Sequence, residues 1–319
     1  MIRLSLLAFF LALAAPAWAA SSGFADAMKA LQAGDFETAR AIAAPLADAG
    51  DADAQHLLGY LYETGQGAQK DLRHAVNLYV EAANAGQADA QYALGELAAR
   101  GEGVKRDPAI AAGWYRLAAA KGHARAKLRL GVMHATGEGV AHDAALAATY
   151  FREAADAGDA EAQRNLAISY LSGDGLAQNY QEAARWFEAA AREGDPVSHY
   201  NLGLIYRSGA VGAEDIARAA DHMRAAAEAG FPPAMSALGL LLHDGAPAKD
   251  GEHPADWFER AAEAGDPQGE FLYAVALANG DGREKNPAEA RRHARAVADD
   301  PSVPAELRAD AGRLLKTLE

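Results

Sequence analysis

The chain has 319 residues, half of them apolar, with 44 acidic against 30 basic residues and a net charge of −14. Such a surface repels phosphate, and no basic run exceeds Arg291-Arg292, which argues against nucleic acid and anionic membranes as partners. Cysteine is absent, so there is no lipobox, no disulfide framework and no thiol for catalysis or metal.

Residues 1–19 carry a cation at Arg3, an apolar run from Leu4 to Ala15, a breaking Pro16 and the small-x-small triplet Ala17-Trp18-Ala19. This is the pattern of a secretory signal peptide cleaved after Ala19. The run is too short for the roughly 20 residues that span a bilayer. The mature protein is expected to be periplasmic or secreted, with no stable membrane insertion. Alanine dominates the apolar residues while β-branched and aromatic types are few, so an all-α chain packed through small side chains is expected. Residues 20–50 read as a capping hairpin, Phe24 to Ala33 and Phe36 to Ala49, turning at Gly34-Asp35.

A repeat follows. The dipeptides Leu58-Gly59, Leu94-Gly95, Leu130-Gly131, Leu202-Gly203 and Leu238-Gly239 stand 36, 36, 72 and 36 residues apart, and Leu166-Ala167 fills the gap. Alanine pairs such as Ala82-Ala83 and Ala118-Ala119, each with a glycine three residues on, keep the same phase, as do Gly-x-Gly loops such as Gly101/Gly103 and Gly137/Gly139. Seven copies result, at 51–86, 87–122, 123–158, 159–194, 195–230, 231–265 and 266–301. Each reads as two helices, because apolar residues recur at three- and four-residue spacing on both sides of the loop. Stripes this small bury themselves only against neighbouring copies, which predicts a stacked solenoid.

Asp71, Asp107, Asp143, Asn179, Asp215, Asp250 and Asn286 occupy the slot before each second helix, where a side-chain oxygen caps free backbone N–H groups. These acids are therefore read as caps rather than as an acid–base pair. Trp114, Tyr115, Tyr150, Phe151, Trp186, Phe187, Trp257 and Phe258 are assigned to the core. In copy five Gly209-Ala-Val-Gly212 replaces Gly-x-Gly, copy six loses a residue before Asp250, and His222 stands where other copies hold Trp, Tyr or Leu. After Pro301, residues 302–319 supply a last capping helix with Leu307, Ala311, Leu314, Leu315 and Leu318 on one face.

Ten histidines are present, but none has the spacing of a metal site. His56 and His134 fall in slots that other copies fill with aromatics. No nucleophile elbow or phosphate loop is found. No metal, cofactor or catalytic residue is assigned.

The run Ala90-Gln91-Tyr92-Ala93-Leu94-Gly95, then Gly101-Glu102-Gly103-Val104-x-x-Asp107, then Ala111-x-x-Trp114-Tyr115-x-x-Ala118-Ala119-x-x-Gly122 resembles the Sel1-like repeats, relatives of tetratricopeptide repeats. The resemblance implies an all-α, right-handed superhelical solenoid and a non-catalytic adaptor with protein partners, often at the bacterial envelope. It implies that first helices line a concave groove, which places His56, Tyr60, Tyr92, Glu96, Arg100, Arg164, Ile168, Tyr200, Leu204, Arg207, His243 and Phe271 there. An exported scaffold or regulator holding an envelope protein or an extended peptide is the expectation. A cell-wall enzyme or accessory factor acting on peptidoglycan or β-lactam is the alternative.

Overall fold

The computed structural model describes residues 22–319, so the expected signal peptide lies outside the described residues. Among these residues every regular element is an α-helix, 17 in all. The chain divides into two compact units, Met1–Ala154 and Ala155–Glu319.

In unit 1, α1 (Ser22–Gln32) and α2 (Phe36–Asp48) form a hairpin ahead of α3 (Ala52–Thr64), α4 (Leu72–Asn84), α5 (Ala88–Arg100), α6 (Pro108–Ala120) and α7 (Ala124–Thr136). The division cuts α8 (Ala144–Asp156) near its end. Helices pack in chain order, α3 on α4 and α5 on α6 within copies, α4 on α5 and α6 on α7 between them. In unit 2, α9 (Ala160–Ser172), α10 (Tyr180–Arg192), α11 (Pro196–Ser208), α12 (Ile216–Glu228), α13 (Pro232–His243), α14 (Pro254–Glu263), α15 (Pro267–Asn279), α16 (Pro287–Asp299) and α17 (Ala305–Thr317) pack likewise. Leu307 of α17 packs against the cluster of Val297, Val303 and Ala311, and Leu314 and Leu318 against that of Phe258, Tyr273, Leu277, Ala278 and Ala290.

Fully buried alanines at Ala75, Ala82, Ala111 and Ala118 bring the helices close. The first-helix glycine brings them closer still. A Cβ on Gly95 would lie 2.4 Å from Tyr115 Cε1, and one on Gly239 the same distance from Phe258 Cε1. The second-helix aromatic lies over that bare backbone, as do Tyr79 at Gly59 and Phe151 at Gly131. Trp114, Tyr150 and Trp186 are half-buried, whereas Tyr115, Phe151, Phe187, Trp257 and Phe258 are buried. Each first helix of the Gly-x-Gly copies stops where the loop glycine turns left-handed, as at Gly101 with φ +75°.

The caps follow the expected slot in six of seven copies. Asp71, Asp107, Asn179, Asp215 and Asn286 accept from N–H groups of their helices, and Asp143 accepts from Leu146 N–H at 3.0 Å. Asp250 does not. The sixth copy's second helix starts late, at Pro254, and His253 caps it by accepting Ala255 N–H on Nδ1 at 3.2 Å. Proline at the first helical position needs no N–H partner and fixes the start there.

Buried glutamines tie successive copies together. Gln55, Gln91 and Gln163 each donate Nε2–H to a carbonyl eight residues back, those of Ala47, Ala83 and Ala155, near the end of the preceding helix. His199 occupies the same slot and its ring donates to Ala191 O, again eight residues back. Met235 holds the slot in copy six.

Candidate partner-binding face

The residues expected on the first-helix face fare differently in the two units. In unit 1 most of them are engaged with other parts of that unit. Glu96 of α5 accepts Tyr115 O–H at 2.7 Å and two N–H groups of Arg129, at 2.9 and 3.4 Å. Burial opposes the charge of Arg129, but the Glu96 carboxylate and the Tyr92 ring outweigh it and hold its pKa above the ordinary value. Burial and the Glu96 carboxylate together push the Tyr115 hydroxyl well up. Tyr92 stacks on His123 with centroids 4.6 Å apart and lies 5.8 Å from Tyr115.

Arg100 pairs with Glu63 at 3.3 Å, and Glu63 also accepts Tyr79 O–H at 2.7 Å. His56 is half-buried with its ring 5.6 Å from Tyr79, and burial lowers its pKa against the pull of Asp89. Tyr60 is half-buried and packs on the core between α2 and α3. His123 is bound at both nitrogens: Nδ1 accepts Ala126 N–H at 3.1 Å and Nε2 lies 3.2 Å from Asp89.

In unit 2, Arg164 pairs with Asp195 at 2.6 Å, Tyr200 meets Phe231 edge-on at 5.4 Å, and Phe271 packs against Val297, Val303 and Ala311. Ile168, Leu204, Arg207 and His243 remain. Ile168 is 41% exposed, one of only four exposed large apolar side chains among the described residues. Leu204 is half-buried, and Arg207 and His243 are exposed. Neither Arg207 nor His243 has an ion pair among the described residues. Leu240, half-buried in α13, holds the slot of Ile168 and Leu204 one copy further on. It is missing from the sequence-derived set although the position after Gly239 marks it.

The histidine that departs from the repeat, His222, is also internal. Its Nδ1 lies 3.0 Å from Nδ1 of His199, and its ring stacks on Tyr206 at 5.5 Å and 11°. Burial lowers the pKa of both histidines, and the neighbouring His199 ring adds to the effect on His222. His134 stacks on Tyr150 and bonds Ala141 O. Among the described residues no group of three or more His, Asp or Glu side chains could hold a metal ion, and no helix is long and apolar enough to cross a membrane.

Sequence comparison matches the Sel1 repeat to residues 52–87, 88–123, 124–159, 160–195, 196–231, 232–266 and 267–299, an unbroken run. The chain is similar in structure to a protective antigen present in uropathogenic Escherichia coli strains displaying an SLR fold. The two are 21% identical, over 93% of this chain and 83% of that one, with a TM-score of 0.62. It is similar too to a Sel1 repeat protein from Oxalobacter formigenes, 27% identical over 76% of this chain and 97% of that one, with a TM-score of 0.67. No curated protein matches. Sel1 repeats generally mediate protein–protein interactions on a scaffold that is typically non-catalytic. With seven consecutive copies matched and two solved repeat proteins sharing its fold, this chain belongs to the Sel1 repeat family.

Proposed function

We propose that the chain is exported, loses residues 1–19, and acts in the periplasm or outside the cell as a non-catalytic scaffold or regulator. It binds an envelope protein, or an extended segment of one, on its first-helix face. One observation carries this reading. The groups with chemical potential, the repeated acids, the tyrosine–glutamate pairs and the His199–His222 contact, are engaged in caps and packing, while on the first helices of unit 2 Ile168 is exposed and Arg207 and His243 are exposed with no ion pair among the described residues.

The test is affinity capture with in-cell crosslinking, using the full-length gene so that export and cleavage occur naturally. A specific protein partner in the periplasmic fraction, with an amino terminus at Ala20, is the expected result. Hydrolysis of β-lactam or murein fragments by the pure mature protein would overturn the non-catalytic reading, and retention of residues 1–19 in the cytoplasmic fraction would overturn export.

A further inference from the structure

Helix α6, the second helix of copy two, is apolar on every face except at Arg116, yet only one face is covered. Ala111, Ala112, Tyr115 and Ala118 are buried, while Ile110 is 54% and Leu117 50% exposed. These are the two most exposed of the large apolar side chains among the described residues. A helix that is apolar all round normally has neighbours all round. The same slots are polar in the adjoining copies. Leu117 corresponds to Glu81 and Glu153, Gly113 to Asn77 and Thr149, and Ala120 to Asn84 and Asp156. Gly113 is a second departure without a cause inside the chain: it sits mid-helix, where glycine costs stability, and a Cβ there would meet nothing within 4 Å.

Ile110, Gly113, Leu117 and Ala120 follow the 3-4-3 spacing of a helix-pairing seam, and large alternates with small along it. Two such seams laid antiparallel, with the two-fold axis at the level of Tyr115, are complementary to each other. Ile110 of one copy meets Ala120 of the other, and Leu117 meets Gly113. Beside the seam the same register brings Lys121 of one copy to Asp107 of the other, twice, so opposite charges flank both ends. It also brings the two Arg116 side chains together, the one unfavourable pair. Asp107 keeps its cap through Oδ1, which accepts the N–H groups of Ala109 and Ile110.

We infer that α6 is a self-association surface, covered by α6 of a second copy of this chain in antiparallel register. A symmetric contact of this kind uses one patch twice and closes on itself, which stops growth at the dimer. One helix face lies at the small end of interfaces, below about 1,200 Å² in total, so the dimer is expected to be weak, with a dissociation constant of ~10–100 μM. The surface lies on a second helix and is independent of the partner proposed for the first-helix face.

The test follows the mature chain by analytical ultracentrifugation from about 5 to 500 μM. Wild type should pass from monomer to dimer. Leu117→Asp, at an exposed position where helical content by circular dichroism should stay at the wild-type level, should raise the dissociation constant at least about tenfold. Because the chain has no cysteine, introduced cysteines report the register. Two Ile110→Cys chains, or two Ala120→Cys chains, hold their thiols about 15 Å apart along the axis and should not crosslink to themselves. Mixed, the two variants should form a disulfide under mild oxidation. Wild type mixed with Arg116→Glu should give more heterodimer than the statistical half, since the like-charge pair becomes an ion pair. A monomer at every concentration overturns the inference, as does dimerisation of Leu117→Asp at the wild-type level. Ile110→Cys or Ala120→Cys chains that crosslink to themselves as readily as to each other also overturn it. So does a photocrosslinker at position 117 that captures, in cells, a different protein instead of this chain.

Discussion

Replacing Glu252 by alanine strips the bidentate, buried partner from a guanidinium that is only 3% exposed, leaving it the solvent-exposed Asp221. Arg224 of α12 meets both Glu252 oxygens, at 3.0 and 2.8 Å, and also Asp221 and the Pro247 carbonyl. Glu252 in turn accepts Trp257 Nε1–H at 3.0 Å and Lys249 N–H at 2.9 Å. Removing one member of a buried pair costs about 3–5 kcal/mol, because the remaining charge stays out of water. With a urea slope of about 2–3 kcal/mol per molar, the midpoint for unit 2 should fall by about 1–2 M. Trp257 fluorescence is the local reporter, since its indole loses the same carboxylate. Burial works against the Glu252 charge, but hydrogen bonds from Arg224, Lys249 and Trp257 win and hold its pKa below the ordinary value. A depressed carboxyl stabilises the fold above its unfolded pKa and loses that contribution as pH falls through its folded pKa, so acid should mimic the substitution. The double replacement Arg224→Met with Glu252→Leu should recover much of the loss, since apolar replacement of a buried pair is often neutral or stabilising. An unchanged midpoint and emission spectrum for Glu252→Ala would refute the reasoning.

Two glycines of neighbouring helices should respond oppositely to alanine. Gly95→Ala drives a Cβ to 2.4 Å from Tyr115 and should cost about 1–3 kcal/mol of overpacking, only partly offset by better helix propensity. Gly113→Ala meets nothing within 4 Å and should stabilise by about 0.5–1 kcal/mol; urea midpoints check both. His222→Tyr should flatten stability between pH 7 and pH 5. The depressed His199 and His222 pKa values mean that wild type keeps its full stability above the ordinary histidine range and loses it on acidification through about 6.5. At Asp89 burial raises the pKa, but the bonds from His123 and Gln87 and the charge of His56 outweigh it and bring it from 3.8 to about 2. The stability it contributes is whole above the ordinary value and is lost as pH falls towards 2, and Asp89→Asn should remove that limb of the acid unfolding curve.

Caps, loops and helix pairs were legible in the sequence because each answers a local demand of the backbone. A helix start needs an acceptor, and a helix stop needs positive φ, so Asp107 and Gly101 declare themselves. Asp250 misled because one lost residue shifts the loop, and the start passes to Pro254 with His253 before it. The face was legible only as a set of slots. Whether a slot is free depends on partners far along the chain, such as Arg129, 33 residues from Glu96, or Glu63, 37 residues from Arg100. Periodicity places these side chains near one another but does not say which pairs form. It also hid His199, whose neighbour His222 lies 23 residues away.

The glutamine-type ties to the preceding helix bear on how the repeats share their stability. Stacked copies behave as a line of units, each with its own stability and a coupling to its neighbours. An amide donating to a carbonyl is indifferent to pH and nearly so to salt, so the joints at Gln55, Gln91 and Gln163 should hold under most conditions. The joint entering α13 lacks two bonds at once: Met235 takes the glutamine slot, and Phe231 gives α13 no side-chain cap. The Arg224–Glu252 contact reaches past α13 to the segment leading into α14 and supplies the coupling there by charge. Helices α13 to α17 are thus attached to their neighbours through a joint supplied by charge, and acidification into the carboxyl range should weaken that end of unit 2 after the His199–His222 contact one copy earlier has already titrated.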